Sequence, residues 1–216
     1  MKKITLLFIV SFFLHSCYTS KITSDFLIPL NQNRELFSDL KGEFDEYSFN
    51  SVFQPSKKIV DELIEGEAEF QREISIVREN QNSVDAKNLL RKYMMNSALN
   101  DANAKGKIVF NVSFYDFRKN DAFSVFSVLS LGLLNLAGLP SGSFVNTIEM
   151  QASIYSDSGE LLQSFTGFGR DSYLTGVYYH SPEQKRPSFI KAVKNAIHEI
   201  DNQILANQNY LAESLH

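Results

Sequence analysis

Alternating hydrophobic and polar positions predict strands in the second half of the chain. From Ile108 to Phe114 every second residue is apolar, which is the period of a half-buried strand. The same alternation returns from Thr147 to Tyr155. Asp157-Ser158-Gly159 then has the composition of a hairpin turn. We therefore expect Glu160 to Phe168 to return as the partner strand.

Apolar residues at spacings of three and four predict helices on both sides of these strands. The strongest pattern runs from Pro187 to Leu205, where Pro187 suits the first turn of a helix. Its apolar positions are Phe189, Val193, Ile197, Ile200 and Ile204. A second helix is predicted from Val84 to Leu99, with Ser83 as its N-cap. Leu89, Leu90 and Tyr93 lie on one side of it.

The first third of the chain has a weaker pattern. Between residues 25 and 56 the aromatic residues are scattered, and we expect extended segments. A short helix is predicted from Lys57 to Gly66, with Ser56 as its N-cap. Ala68 to Val77 fits either a helix or a strand, and we expect a strand.

The order of these elements predicts the fold class. A helix, three strands with a tight hairpin, and a final helix indicate a two-layer α+β domain, with a mainly antiparallel sheet and helices packed on one face. We expect one such domain over residues 25–216, with an apolar insertion at 122–142. The chain has 216 residues, of which 44% are hydrophobic, enough for one core. Its pI near 5.6 and the lack of a basic run give no reason to expect binding to nucleic acid.

The N-terminal residues have the pattern of an export signal. Met1-Lys2-Lys3 is positively charged, and Ile4 to Leu14 contains no charge. Eleven helical residues reach only about 16 Å, far short of a hydrocarbon core of roughly 30 Å. The segment is therefore interpreted as a secretory signal and excluded from the fold. It ends in Leu14-His15-Ser16-Cys17, which contains the chain's single cysteine.

This tetrapeptide resembles the lipobox of bacterial lipoproteins, although His15 stands where that family has a small or β-branched residue. The resemblance covers residues 1–17 and implies cleavage before Cys17 and lipidation of that cysteine. Residues 1–16 would be a signal peptide and 17–24 a lipidated tether that anchors the protein in the membrane of a bacterial cell envelope. Tyr18 follows the cysteine instead of Asp, which by the same resemblance favours the outer membrane. The predicted domain is also loosely similar in layout to TolB N-terminal and curli-secretion lipoprotein domains, with no shared motif.

An unusually long uncharged segment interrupts the predicted sheet. Between Asp121 and Glu149 there are 27 consecutive residues without a charge, and residues 122–139 are very apolar. A spanning helix there would separate two strands that should pair. Three interpretations remain open: a buried helix or loop, a hairpin that contacts a membrane surface, or an interface with a partner or a second copy. The candidate contact residues are Phe123, Phe126, Leu129, Leu133 and Leu134.

No complete catalytic or metal-binding motif is present. His198-Glu199 begins like a zinc-protease helix, but Asn202 stands where the second histidine is required, so we expect no metal and a surface position for His198. Gly167-Phe168-Gly169 lacks the third glycine of a dinucleotide-binding loop and is expected to be a bulge or a close backbone contact. A second candidate binding region is the loop that carries Tyr173, Tyr178, Tyr179 and His180.

The function predicted from the sequence is a lipid-anchored envelope lipoprotein that acts as a non-catalytic binding, accessory or assembly subunit, without a cofactor. Its partners would be the membrane, through Cys17, and an envelope protein. The alternative is a membrane-inserting oligomer that uses residues 122–139. A third hypothesis is an enzyme with a site around Tyr173 to His180.

Overall fold

The computed structural model describes residues 39–53, 68–96, 104–120, 124–130, 132–176, 178–179 and 181–215. Its elements in chain order are β1 (Leu40–Phe44), α1 (Glu46–Val52), α2 (Ala68–Asn96), β2 (Gly106–Asn120), α3 (Ser124–Leu129), α4 (Leu133–Leu136), β3 (Gly142–Ser156), β4 (Leu161–Thr175), α5 (Ser181–Ala206) and α6 (Gln208–Ser214). The predicted helix from Lys57 to Gly66 lies outside the described residues.

The four strands form one sheet in the order β1-β2-β3-β4. β1 is parallel to β2, while β2, β3 and β4 are antiparallel neighbours. Helices α1, α2 and α5 share one hydrophobic core with the same face of the sheet. The predicted α+β fold, with a mainly antiparallel sheet and helices on one face, is confirmed.

The predicted core positions of β3 and α5 are buried. Ile148, Met150, Ala152 and Ile154 of β3 have no exposed surface. The five apolar positions predicted for α5 are also at most 1% exposed. Each large side chain buried in this way contributes about 1.5–3 kcal/mol. The Asp157-Ser158-Gly159 turn is also confirmed, with Gly159 at a φ of 85°, in the left-handed region.

A bulge in β2 changes the face of its later residues. Ile108, Phe110 and Val112 are buried as predicted, but Phe114 is 48% exposed. The pairing with β3 shifts register between Val112 and Phe114, because an extra residue is inserted there. Tyr115 therefore turns towards the core, where its ring lies 5.5 Å from that of Phe189.

Helix α2 corrects two predictions. Ala68–Val77 is helical and not a strand, and Ser83 is a buried residue within the helix and not its N-cap. Two alternating isoleucines are too few to outweigh the surrounding Glu, Gln and Arg residues, which all favour helix. Leu89, Leu90 and Tyr93 are fully buried as predicted.

Two further boundaries differ from the sequence prediction. Helix α5 begins at Ser181, so Pro187 lies inside it and not in its first turn. Pro182 occupies the first turn instead, where its fixed φ suits a helix. The region predicted to be extended contains both β1 and the short helix α1, which Asp45 caps by accepting a hydrogen bond from the Tyr47 amide at 3.0 Å.

Helix α5 approaches β4 very closely at two glycines. A Cβ atom on Gly167 would lie 2.2 Å from the carbonyl oxygen of Ala196, and one on Gly169 would lie 1.8 Å from that of Ala192. The expected close backbone contact at Gly167-Phe168-Gly169 is therefore present.

The sheet has two distinct ends. At the first, here called the turn end, Leu40 pairs with Gly106, and Gly106 pairs with Ser156 just before the β3–β4 turn. At the second, here called the hairpin end, β2 finishes at Asn120 and β3 starts at Gly142. The apolar segment between them, the end of β4 and the start of α5 all lie at the hairpin end.

Candidate functional site

The apolar segment between β2 and β3 exposes its hydrophobic side chains. We call its described residues, 124–130 and 132–139, the apolar hairpin; they contain the short helices α3 and α4. The exposed fractions are 59% for Val125, 73% for Val128, 77% for Leu129, 68% for Leu133, 39% for Leu134, 63% for Leu136 and 46% for Leu139.

The interpretation of this segment as a buried helix or loop is therefore wrong for the residues that the structure describes. Helices of six and four residues are too short to pack a long apolar face onto the domain, and the large apolar side chains described in them are exposed. Grouped exposed apolar side chains of this kind are typical of interaction surfaces.

The backbone of the apolar hairpin is hydrogen-bonded within itself. The amide of Leu133 donates to the carbonyl of Ser130 at 3.0 Å, and the amide of Leu139 donates to that of Leu134 at 3.0 Å. Gly132 and Gly138 have φ values of 80° and 99°, which permit the two tight turns. Because these polar groups are already paired, the hairpin can leave water at a lower cost than an open loop.

Two of the predicted tyrosines support the apolar hairpin. The hydroxyl of Tyr178 donates to the carbonyl of Leu136 at 2.8 Å, and that of Tyr179 donates to the carbonyl of Gly138 at 3.1 Å. The amide of Ser141 also donates to the carbonyl of Thr175 at 2.7 Å. The structure thus brings together two candidate regions that the sequence had suggested separately.

Tyr173 does not belong to this group. It is only 8% exposed, and its ring stacks on Phe144 at 5.6 Å between centroids. Phe144 in turn stacks on Phe117 at 5.1 Å, and the Lys185 ammonium lies 4.3 Å from the centre of the Phe117 ring. These rings extend the core face towards the hairpin end. Phe123 and His180, and the side chain of Phe126, lie outside the described residues.

A polar cavity of about 320 Å³ lies between β4 and the first half of α5. Among the residues that line it, Lys191 forms an ion pair with Asp171 at 2.8 Å. Ser188 accepts a hydrogen bond from the buried Asn146 at 3.0 Å, and Asn146 accepts one from the hydroxyl of Tyr115 at 3.0 Å. Sequence reasoning missed this network, because its members lie on separate elements and form no motif.

The two segments that adjoin the apolar hairpin have a positive net charge in the sequence, whereas the chain as a whole is acidic. Segments 116–148 and 168–194 contain seven basic and four acidic residues, a net charge of +3. Without Lys2 and Lys3, the chain from Cys17 onward has 19 basic and 25 acidic residues, a net charge of −6. The other residues from Cys17 onward therefore have a net charge of −9. The exposed side chains at this end include those of Arg118 and Lys191, which are 68% and 67% exposed.

The ionisable groups with shifted pKa values belong to structural ion pairs. The carboxylate of Asp85, only 1% exposed, accepts hydrogen bonds from Arg186 at 2.7 and 2.9 Å and raises the pKa of Arg186 above its ordinary value. At the turn end, the Lys41 ammonium beside Glu43 lowers the pKa of that carboxyl. Neither pair lies at the apolar hairpin.

Within the described ranges, no group of three or more His, Cys, Asp or Glu residues is arranged to hold a metal ion. His198 is exposed on α5, as predicted for a surface residue. None of the helices that the structure describes is both long enough and apolar enough to cross a membrane.

Comparison with known proteins gives no family assignment. No family model matches the chain, and no curated protein matches it. Solved structures with weak similarity to this chain include two lipoproteins. A minor lipoprotein from Acinetobacter baumannii is 14% identical, with 83% of this chain and 96% of that chain covered and a TM-score of 0.38. A protein provisionally described as a lipoprotein from Caulobacter crescentus CB15 is 11% identical, with 61% and 83% covered and a TM-score of 0.35.

Proposed function

We propose that the protein is a lipid-anchored lipoprotein of the bacterial cell envelope, with the outer membrane favoured over the inner. It acts as a non-catalytic binding or accessory subunit, and its contact surface is the apolar hairpin. The anchor rests on the charged start, the short apolar segment and the position of Cys17. The observation that carries the binding role is the exposure of the apolar side chains from Val125 to Leu139.

The contacts of Tyr178 and Tyr179 support a non-catalytic role for these two residues. Tyr178 and Tyr179 direct their hydroxyls to backbone carbonyls of the apolar hairpin, and Tyr173 is buried in a stack of rings. Tyr178 and Tyr179 therefore support the hairpin, whereas Tyr173 lines the polar cavity between β4 and α5.

Metabolic labelling with an alkyne fatty acid tests the anchor. The wild type should incorporate the label and fractionate with membranes, and Cys17→Ser should not be labelled, because the acceptor sulfur is gone. Ser20→Ala, three residues away, is the matched control and should be labelled normally. A wild-type chain without label would disprove the anchor.

The alternative function, a membrane-inserting oligomer, is favoured by the same exposed side chains. It requires a stable higher oligomer, because α3 and α4 reach only about 9 and 6 Å along their axes and cannot span a bilayer alone. The native mass in detergent separates the two functions: a monomer or dimer supports the accessory role, and a discrete larger ring supports the oligomer.

A further inference from the structure

We propose that the occupant of the apolar hairpin is the surface of an anionic phospholipid bilayer, into which the hairpin inserts to interfacial depth. This inference rests on the proposed function and names what its contact surface binds.

The side chains and backbone of the hairpin together suit contact with lipid. Its large exposed side chains are those of Leu and Val, and it has no charged residue. Its backbone amides donate hydrogen bonds within the hairpin, and the hydroxyl of Tyr178 donates one to the carbonyl of Leu136. A segment with paired polar groups and outward apolar side chains gains free energy in the interfacial region of a bilayer, whereas an unpaired backbone would oppose insertion.

Tyr178 has the position expected of an interfacial residue. It is 61% exposed at the base of the hairpin, with its hydroxyl bonded to protein and its ring accessible. Tyrosine is favoured at membrane interfaces, because its ring is apolar and its hydroxyl is polar.

Charge complementarity favours an anionic bilayer over an uncharged apolar partner. Segments 116–148 and 168–194, which adjoin the hairpin, carry a net charge of +3, of which one unit is neutralised by the contact of Arg186 with Asp85. Arg118 and Lys191 extend from the same end of the sheet. Each basic side chain near an anionic surface contributes about 1 kcal/mol, or roughly a fivefold change in binding.

The length of the N-terminal chain allows the anchor and the hairpin to use one bilayer. The chain joins the sheet at the turn end, opposite the hairpin, and β3 is 15 residues or roughly 50 Å long. Asp39 lies 22 positions after Cys17, a length of chain that can extend to about 75 Å. The distance from one end of the sheet to the other is therefore within reach of the anchored chain.

A single introduced cysteine tests this contact in the lipidated full-length protein. Cys17 is the only native cysteine, so its acylation leaves Leu133→Cys as the one reactive thiol. An environment-sensitive fluorophore at this position is compared with one at Ser158→Cys, in the exposed β3–β4 turn at the opposite end. Both proteins are reconstituted into vesicles of phosphatidylcholine alone or with phosphatidylglycerol, each with a lipid-borne quencher.

The expected result is a shift of the residue-133 emission to shorter wavelength and strong quenching by lipid, greater with phosphatidylglycerol. The residue-158 label should remain in water. Adding Leu129→Ser and Leu136→Ser should remove most of the quenching at 133. Adding Arg118→Gln and Lys191→Gln should reduce the quenching of the residue-133 label only in the anionic vesicles.

A residue-133 label that stays in water in both vesicle types would overturn the inference. If that label is instead protected only in native envelopes, the occupant is a protein. Equal quenching in both lipids would disprove the anionic preference. Failure of the anchor is distinguishable, because an unacylated Cys17 in the wild type would itself take the fluorophore.

Discussion

At the scale of single residues, Gly169 sets the distance between α5 and the sheet. A Cβ at this position would overlap the Ala192 carbonyl oxygen of the helix backbone, which has no flexible side chain to move aside. Gly169→Ala must therefore displace α5, and we expect a loss of about 3 kcal/mol in the free energy of unfolding. Chemical denaturation measures it. Ser172→Ala, at an exposed position of the same strand, should change stability by less than about 0.5 kcal/mol, and an equal loss in both variants would contradict the argument.

Arg186 stabilises the fold by neutralising a buried charge. Removing it leaves the carboxylate of Asp85 buried without its cation, and we expect Arg186→Ala to cost about 3 kcal/mol. Because the pKa of Arg186 is raised, its own contribution to stability is present below its ordinary pKa and is lost as pH rises through the raised value. Arg118→Ala is the control, since its pair with Asp116 is exposed and should contribute less than about 1 kcal/mol. The free energy of unfolding of both variants is measured by urea denaturation at pH 7. Similar losses in Arg186→Ala and Arg118→Ala would show that the burial of Asp85 does not determine how much its ion pair contributes.

At the scale of elements, α5 covers the free edge of β4. Three of its polar residues, spaced four apart, bond outward-facing backbone groups of the strand. Asn195 donates to the carbonyl of Arg170 at 3.0 Å, and Gln203 donates to that of Thr166 at 2.7 Å. Glu199 accepts from the amide of Phe168 at 2.6 Å. An uncovered edge strand is a template for pairing with another chain, so this cover protects the protein from self-association.

Replacing Asn195, Glu199 and Gln203 together by Ala should open this edge without weakening the helix, because Ala has the highest helix propensity. We expect the variant to associate in a concentration-dependent manner, measured as a rise in sedimentation mass over the wild type at equal concentration. His198→Ala, on the exposed side of the same helix, should sediment like the wild type. If the triple variant also sediments like the wild type at every concentration, the hydrogen bonds from α5 to the edge of β4 are not what prevents association.

The elements also show why part of the fold could be predicted and part could not. The apolar spacing of α5 and the alternation of β3 are repeated over many residues, so each predicted its buried face correctly. The bulge after Val112 depends on pairing with β3 and leaves no local signal. The strand prediction for Ala68–Val77 depended on two isoleucines. These residues instead form the start of the long helix α2.

For the candidate site, the sequence indicated which residues are involved but not how they are arranged. The uncharged segment 122–148 was visible in the sequence, but its exposure depends on how α3 and α4 fold back. Likewise, the sequence placed Tyr178 and Tyr179 in a loop about 40 residues from the apolar hairpin. Their hydrogen bonds to Leu136 and Gly138 arise because β2, β3, β4 and α5 all meet at the hairpin end.

At the scale of the whole molecule, the hydrophobic residues that the structure describes divide into a buried core and an exposed hairpin. Ile148 has no exposed surface, whereas Leu129, Leu133 and Leu136 are each more than 60% exposed. Replacing an exposed leucine by serine removes little buried area, so the triple variant Leu129→Ser, Leu133→Ser and Leu136→Ser should unfold within about 1 kcal/mol of the wild type.

Ile148→Ala provides the contrasting change, because it opens a cavity in the packed core and should cost about 2–5 kcal/mol. Thermal and urea unfolding of both variants measure the difference. A triple variant as unstable as Ile148→Ala would mean that the hairpin leucines belong to the core. If the triple variant is stable but loses its contact with lipid vesicles, folding and binding reside in separate hydrophobic surfaces. The exposed leucines would then owe their presence to what the protein contacts, since stability does not require them.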